Sequence, residues 1–304
     1  MLSLFSTWLF ACGGSQENTA EESTAETEMP AETAEPAPMA SLEQQWATDT
    51  TLRTPESVLY HPEQNVLFVS NINGVNPQGA DGDGFISKVS TEGQVTELKW
   101  VDGLNDPKGM GMLNGMLYVT DINEVVEIDM ATGEIPNRYP VEGAKFLNDI
   151  TTDTQAGVVY ISDSNAHRLH KLQNGELTTI KEDSAMLQRP NGLLMDDSRL
   201  LMLSMAGEKL YEVNPETMEM NQLSGGFPGA DGIVKTALGN YLISNWNGEV
   251  YYYTPAGEKT RLLNTKDEKI NAADIDYAAA KDMLFVPTFY DNRVVAYQLQ
   301  ENAM

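Results

Sequence analysis

Five polar residues recur in this chain at the same place, a short corner immediately before an apolar run. They are Glu56 in PESVLY, Lys108 in PKGMGM, Asn148 in LNDITT, Asn191 in PNGLLM and Asp231 in ADGIVK. A sixth corner, AADIDY, puts Ala273 at that phase. Alone, each is an ordinary turn, because Pro pre-sets φ and Asn-Gly accepts positive φ at little cost. Together they supply two carboxylates, two amide carbonyls and one amine, without His or Cys. Hard oxygens of this kind suit Ca²⁺, with Mg²⁺ or Mn²⁺ as lesser fits and zinc, which prefers nitrogen and sulfur, well behind. At its own corner Asn148 competes with Asp149 for the inward position.

These residues meet only if the elements carrying them are arranged around one point, and an internal repeat supplies that arrangement. Six apolar strands, NVLFVSN, GMLYVTD, GVVYISD, RLLMLSM, NYLISNW and DMLFVPT, align at Phe68, Tyr118, Tyr160, Met202, Leu242 and Phe285, with steps of 50, 42, 42, 40 and 43 residues. Each is followed by an alternating strand and, in the first five, by a turn such as TEG, ATG, QNG or PAG into a fourth strand. Period-two alternation with such turns gives antiparallel hairpins. Four strands in about 40 residues is a β-propeller blade. The expected fold is therefore all-β, a six-bladed β-propeller over residues 46–300. The sixth repeat lacks a fourth strand, and the extended stretch WATDTTLR before the first blade is expected to close the ring there and leave no open edge. Equivalent corners of a propeller face one mouth of its central channel, so the five polar residues converge.

With these corners the chain resembles the senescence marker protein/gluconolactonase family and the related squid-type diisopropylfluorophosphatases and paraoxonases. Those are six-bladed, calcium-dependent hydrolases of lactones or phosphotriesters. The resemblance spans nearly all of residues 50–298. It implies Glu56, Asn148, Asn191 and Asp231 as calcium ligands, with Asp231 also helping to deliver water. Lys108 departs from the pattern, since paraoxonase-like members have His in a similar Pro-His-Gly corner. Three roles are open to it: a base made usable by a depressed pKa, a cation holding a substrate carboxylate or oxyanion, or an ammonium filling the metal site.

Loops joining the second and third strands of each blade belong to the same face. They bring Trp246 and the pair Phe289 and Tyr290 as candidate substrate contacts, with blade packing as the alternative. The longest, NINGVNPQGADGDG, is a candidate lid, and its Asp81 and Asp83 are a weaker candidate for a second calcium. His61 is placed in a turn on the far face, and His167 and His170 on an exposed outer strand. The Met-rich stretches are read as packing.

The N-terminal 52 residues contain no Lys or Arg. MLSLFSTWLFAC is too short to span a bilayer and resembles a bacterial lipoprotein signal, with Leu9 at −3, Ala11 at −1 and Cys12, the only cysteine, as the lipidated residue. Phe10 at −2 and the missing basic n-region depart from that pattern. Residues 13–45, rich in Glu, Thr, Ala and Pro, read as a disordered acidic tether. The net charge is −26, and nine acids in residues 1–52 leave −17 on the remainder. Such a surface repels nucleic-acid phosphates and anionic lipid. The expectation is an envelope protein facing the periplasm or cell surface, touching membrane only through Cys12 and acting on a small molecule. As an enzyme it would be a calcium-dependent hydrolase of ester-like substrates, a sugar lactone foremost. The competing expectation is a non-catalytic propeller that binds a ligand or protein partner.

Overall fold

A computed structural model describes residues 39–74 and 79–302. Cys12, residues 13–38 of the expected tether and residues 75–78 of the expected lid lie outside the described residues. The strands form six four-stranded antiparallel sheets. Five follow chain order, and the sixth has the order Ala40–Ala47, Val294–Glu301, Met283–Pro287, Asp276–Ala278. The chain is a six-bladed β-propeller whose last blade takes its outermost strand from the N-terminal side.

That closing strand is ASLEQQWA rather than the expected WATDTTLR. It runs antiparallel to Val294–Glu301, from Ala40 opposite Glu301 to Ala47 opposite Val295. The propeller therefore starts at residue 40, inside the segment assigned to the tether, and the expected boundary at 46 is too late. Leu42 and Trp46 are the reason: both pack against the apolar clusters flanking the last blade. The Trp46 indole also donates to the Thr91 carbonyl at 2.9 Å, tying that blade to the first.

Alternation along each strand sends one apolar row to each neighbouring blade. The core accordingly divides into six clusters, each shared by two adjacent blades. Phe68, Ile86, Leu117 and Val126, for example, are fully buried between blades one and two.

The innermost strands, Pro55–His61, Pro107–Leu113, Leu147–Asp153, Pro190–Asp196 and Ala230–Lys235, share one irregularity. In each, pairing with the next strand skips just after the first residue, at 55/57, 107/110, 147/150, 190/193 and 230/233. Such a bulge frees backbone from the ladder and re-aims the side chain it carries. Glu56, Lys108, Asn148, Asn191 and Asp231 all sit in these bulges.

In blades one, three and five the freed amide is satisfied by a serine hydroxyl on the second strand. Ser70, Ser162 and Ser244 each accept, at 2.9 Å, from the backbone N–H of Ser57, Asp149 and Gly232. Hydroxyls at this place on the second strand also bridge blades: Ser244 donates to the Ala273 carbonyl at 2.7 Å, and Thr120 to the Asn148 carbonyl at 2.6 Å.

Candidate active site

The bulged corners open onto one cavity of about 290 Å³ at a mouth of the central channel. Its walls include Glu56, Lys108, Asn148, Asn191 and Asp231, so all five corner residues come together. Trp246, Phe289 and Tyr290 line it too. Phe289 and Tyr290 arrive on a short 3₁₀ turn, Phe289–Asp291. Trp246 meets both rings edge-on, with centroids at 4.9 and 6.2 Å. Phe289 is buried and Tyr290 is 55% exposed at the mouth. The aromatics thus serve packing and the cavity wall together.

Hydrogen bonding sorts the polar groups. The Asn191 amide nitrogen donates to Asp231 Oδ1 at 2.7 Å and to the Ala230 carbonyl at 3.3 Å. The Asn148 amide nitrogen donates to Ser164 Oγ at 3.2 Å. Both nitrogens are thereby committed, and neither amide oxygen accepts a hydrogen bond among the described residues. Glu56 is 6% exposed, and its Oε2 is buried without a partner. An unpaired buried carboxylate oxygen is costly, and a native structure retains one only where something else supplies the missing interaction.

Electrostatics agree. Burial, reinforced by Asp231 and Asp274, raises the Glu56 pKa well above the ordinary carboxylate range. Burial also lifts Asp231 to about 7, against the lowering effect of its hydrogen bond from Asn191. Without a cation these acids favour their neutral forms, and a divalent ion among them would reverse that preference. The donor set of two carboxylates and two amide oxygens therefore fits a hard cation. Among the described residues no three His, Cys, Asp or Glu side chains are grouped to hold a metal, so such a cation depends on the amides.

Lys108 is 1% exposed, and its ammonium donates to the Asp106 carbonyl at 3.0 Å and lies 4.7 Å from the Phe146 ring centroid. Among the described residues it has no carboxylate oxygen within 4.0 Å. The ammonium therefore does not pair with Glu56 and Asp231 to fill the metal position, and that reading of Lys108 is corrected. Its pKa is lowered by burial, a shift that attraction to Glu56 partly opposes.

Asp149 is not the inward group at its corner. Its carboxylate accepts from the Leu193 N–H at 2.6 Å and the Ile150 N–H at 2.7 Å, one layer deeper in the channel. Asp274 shares that layer and accepts from Ser57 Oγ at 2.6 Å. Burial raises its pKa to about 8. Nothing in the corner phase marked Asp274, because it follows the Ala273 corner by one residue.

Other expectations need correction. His170 is fully buried, with Nδ1 at 3.0 Å from Thr179 Oγ1, because HRLHK is a third strand covered by a fourth. His167 Nδ1 accepts from the Arg189 N–H at 3.0 Å. Asp81 and Asp83 are exposed, Asp83 accepts from Asn73 at 2.9 Å, and neither reaches the cavity. Four lining residues escaped the sequence reading: Ile72, Phe146, Arg189 and Met205. Phe146 and Arg189 stand two positions before their corners, a phase that could have exposed them.

No family model and no curated protein matches this chain. Solved structures do. A streptogramin B lyase has a TM-score of 0.63 at 14% identity, over 86% of this chain and 98% of that one. A catalytically inactive virginiamycin B lyase from Staphylococcus aureus with quinupristin has a TM-score of 0.60 at 12% identity, over 85% and 99%. A nidogen/laminin complex has a TM-score of 0.59 at 17% identity, over 72% and 83%. At such identities the likeness establishes the propeller fold. That fold serves a lyase and a protein complex alike, so function must be argued from the site.

Proposed function

We propose that this protein is a calcium-dependent hydrolase of small ester-like substrates, held outside the cytoplasm by a lipid on Cys12. The observation that carries the reading is the unpartnered, buried Glu56 carboxylate, set in one cavity with two amide oxygens and Asp231. Glu56, Asn148, Asn191 and Asp231 would hold the ion, Mg²⁺ or Mn²⁺ fitting less well. Bound there, calcium would supply Lewis acidity to a scissile carbonyl.

The chain's own groups do the rest. Asp231 has one oxygen fixed by Asn191, and a cation beside it would keep its carboxylate ionised and able to take a proton from attacking water. Lys108, anchored by the Asp106 carbonyl and the Phe146 ring, presents positive charge to the oxyanion that develops on the substrate. Trp246, Phe289 and Tyr290 exclude water and offer an apolar wall. Sugar lactones remain the first substrates to try.

The test is elemental analysis of the purified protein after dialysis against calcium, followed by a panel of esters and lactones. About one calcium per chain is expected, and Asn191→Ala should lose it together with turnover. A parent protein that holds no calcium and hydrolyses nothing would leave the non-catalytic binding propeller as the better account.

A further inference from the structure

The cavity is two-sided. Going round the ring, blades two to four contribute Lys108 and Arg189 with Phe146 and Met205, whereas blades five, six and one contribute Trp246, Phe289, Tyr290 and Ile72 beside Asp231 and Glu56. Both cations thus stand in one half, and the Trp246, Phe289 and Tyr290 rings in the other.

Arg189 is the unexplained member. Its side chain has no hydrogen bond or ion pair among the described residues, and its Nε is buried without a partner. Its backbone is left-handed, with φ +64, a conformation a non-glycine residue holds only when its surroundings impose it. The surroundings do so with two bonds: His167 Nδ1 accepts the Arg189 N–H at 3.0 Å, and the Met205 N–H donates to the Arg189 carbonyl at 2.9 Å. In the first three blades the corresponding loop is held by an acid or amide at the end of the second strand, Asn71, Asp121 or Asp163. Blade four has Met205 there, and among the described residues no carboxylate pairs with Arg189.

A guanidinium donates five N–H groups in a fork matched to planar anions. A divalent cation would cancel the charges of Glu56 and Asp231, and Lys108 and Arg189 would then leave the cavity net positive inside an acidic protein. We infer that Arg189 binds a carboxylate on the substrate, and that the preferred substrates are ester-like molecules bearing a carboxylate on one side and an apolar group on the other. This rests on the hydrolase reading for the word substrate, but the carboxylate grip itself can be measured without turnover.

The probes are 3-phenylpropionate and its neutral isostere 3-phenylpropionamide, titrated calorimetrically into the full chain with calcium and again with chelator. The carboxylate is expected to bind about tenfold or more tightly than the amide, the scale of one charge-assisted hydrogen bond. Arg189→Gln should remove that preference while leaving amide binding unchanged, which also reports an intact pocket, and Arg189→Lys should restore part of it. Carboxylate binding to Arg189→Gln as tight as to the parent would place the anion on the metal or on Lys108 and overturn the inference. So would a parent that binds both probes equally. If the Arg189-dependent preference survives in chelator while no ester is ever hydrolysed, the hydrolase reading falls and the carboxylate site stands.

Discussion

At the scale of single residues, the site is defined by what its polar atoms leave undone. Asn191 answers through its nitrogen, which is spent on Asp231, and its oxygen, which takes no hydrogen bond among the described residues. The raised pKa values of Glu56 and Asp231 have a consequence that can be read from pH alone. Cation uptake must expel the protons these acids favour, so calcium affinity should rise as pH climbs through about 7, with protons released on binding. For the calcium-free protein the sign is opposite. An acid whose folded pKa lies above its unfolded value adds stability below the unfolded pKa and loses it as pH rises through the folded one. With chelator, melting temperature should therefore fall between about pH 4 and pH 7, and less steeply in Asp231→Asn; with calcium the fall should shrink or reverse. A melting profile indifferent to both calcium and Asp231→Asn would contradict this account.

At the scale of elements, bulge and hydroxyl form one device. Each bulge throws a side chain toward the axis, and in blades one, three and five Ser70, Ser162 and Ser244 catch the amide so exposed. Glycine completes it where inner strands of adjacent blades nearly touch: a Cβ on Gly192 would lie 2.1 Å from the Asp231 carbonyl oxygen, and one on Gly232 2.5 Å from Asp274 Oδ1. Gly192→Ala is expected to push the strand of Asp231 away, costing calcium binding before it costs the fold. Ser162→Ala should cost about 1–3 kcal/mol, the penalty of a buried donor left unpaired, measured by urea unfolding. Much of this was legible in advance, because a fixed repeat fixes phase, and phase put Glu56, Lys108, Asn148, Asn191 and Asp231 at one mouth. Arg189 was not legible, although it stands beside Pro190 at the Asn191 corner. Its place depends on loop backbone held by His167 from the preceding blade, and strand period says nothing about such a contact. His170 was misjudged for a related reason: alternation marks two faces of a strand but not whether another strand covers its edge.

For the whole molecule, ring closure is the property that no blade has alone. The last blade keeps its fourth strand at the other end of the chain, so the edge of Val294–Glu301 is covered only while Ala40–Ala47 is paired to it. Trp46 strengthens the closure, with its ring 5.9 Å from Phe285 and its indole N–H on Thr91, so it belongs to both sides of the seam. Gly93 accommodates it, since a Cβ there would lie 2.6 Å from the indole. Placing the start of the propeller at residue 46 would have left most of this strand out of the domain. A chain beginning at residue 39 should therefore melt like the full-length protein, whereas one beginning at residue 48 should melt lower and associate as concentration rises. The bare strand edge is then free to pair with another copy. Trp46→Ala separates the two contributions, because it keeps the backbone pairing and removes only the packing and the indole bond. It should cost about 2–4 kcal/mol without promoting association. Equal stability of the 39 and 48 variants would mean that the ring is held shut by its inter-blade clusters alone.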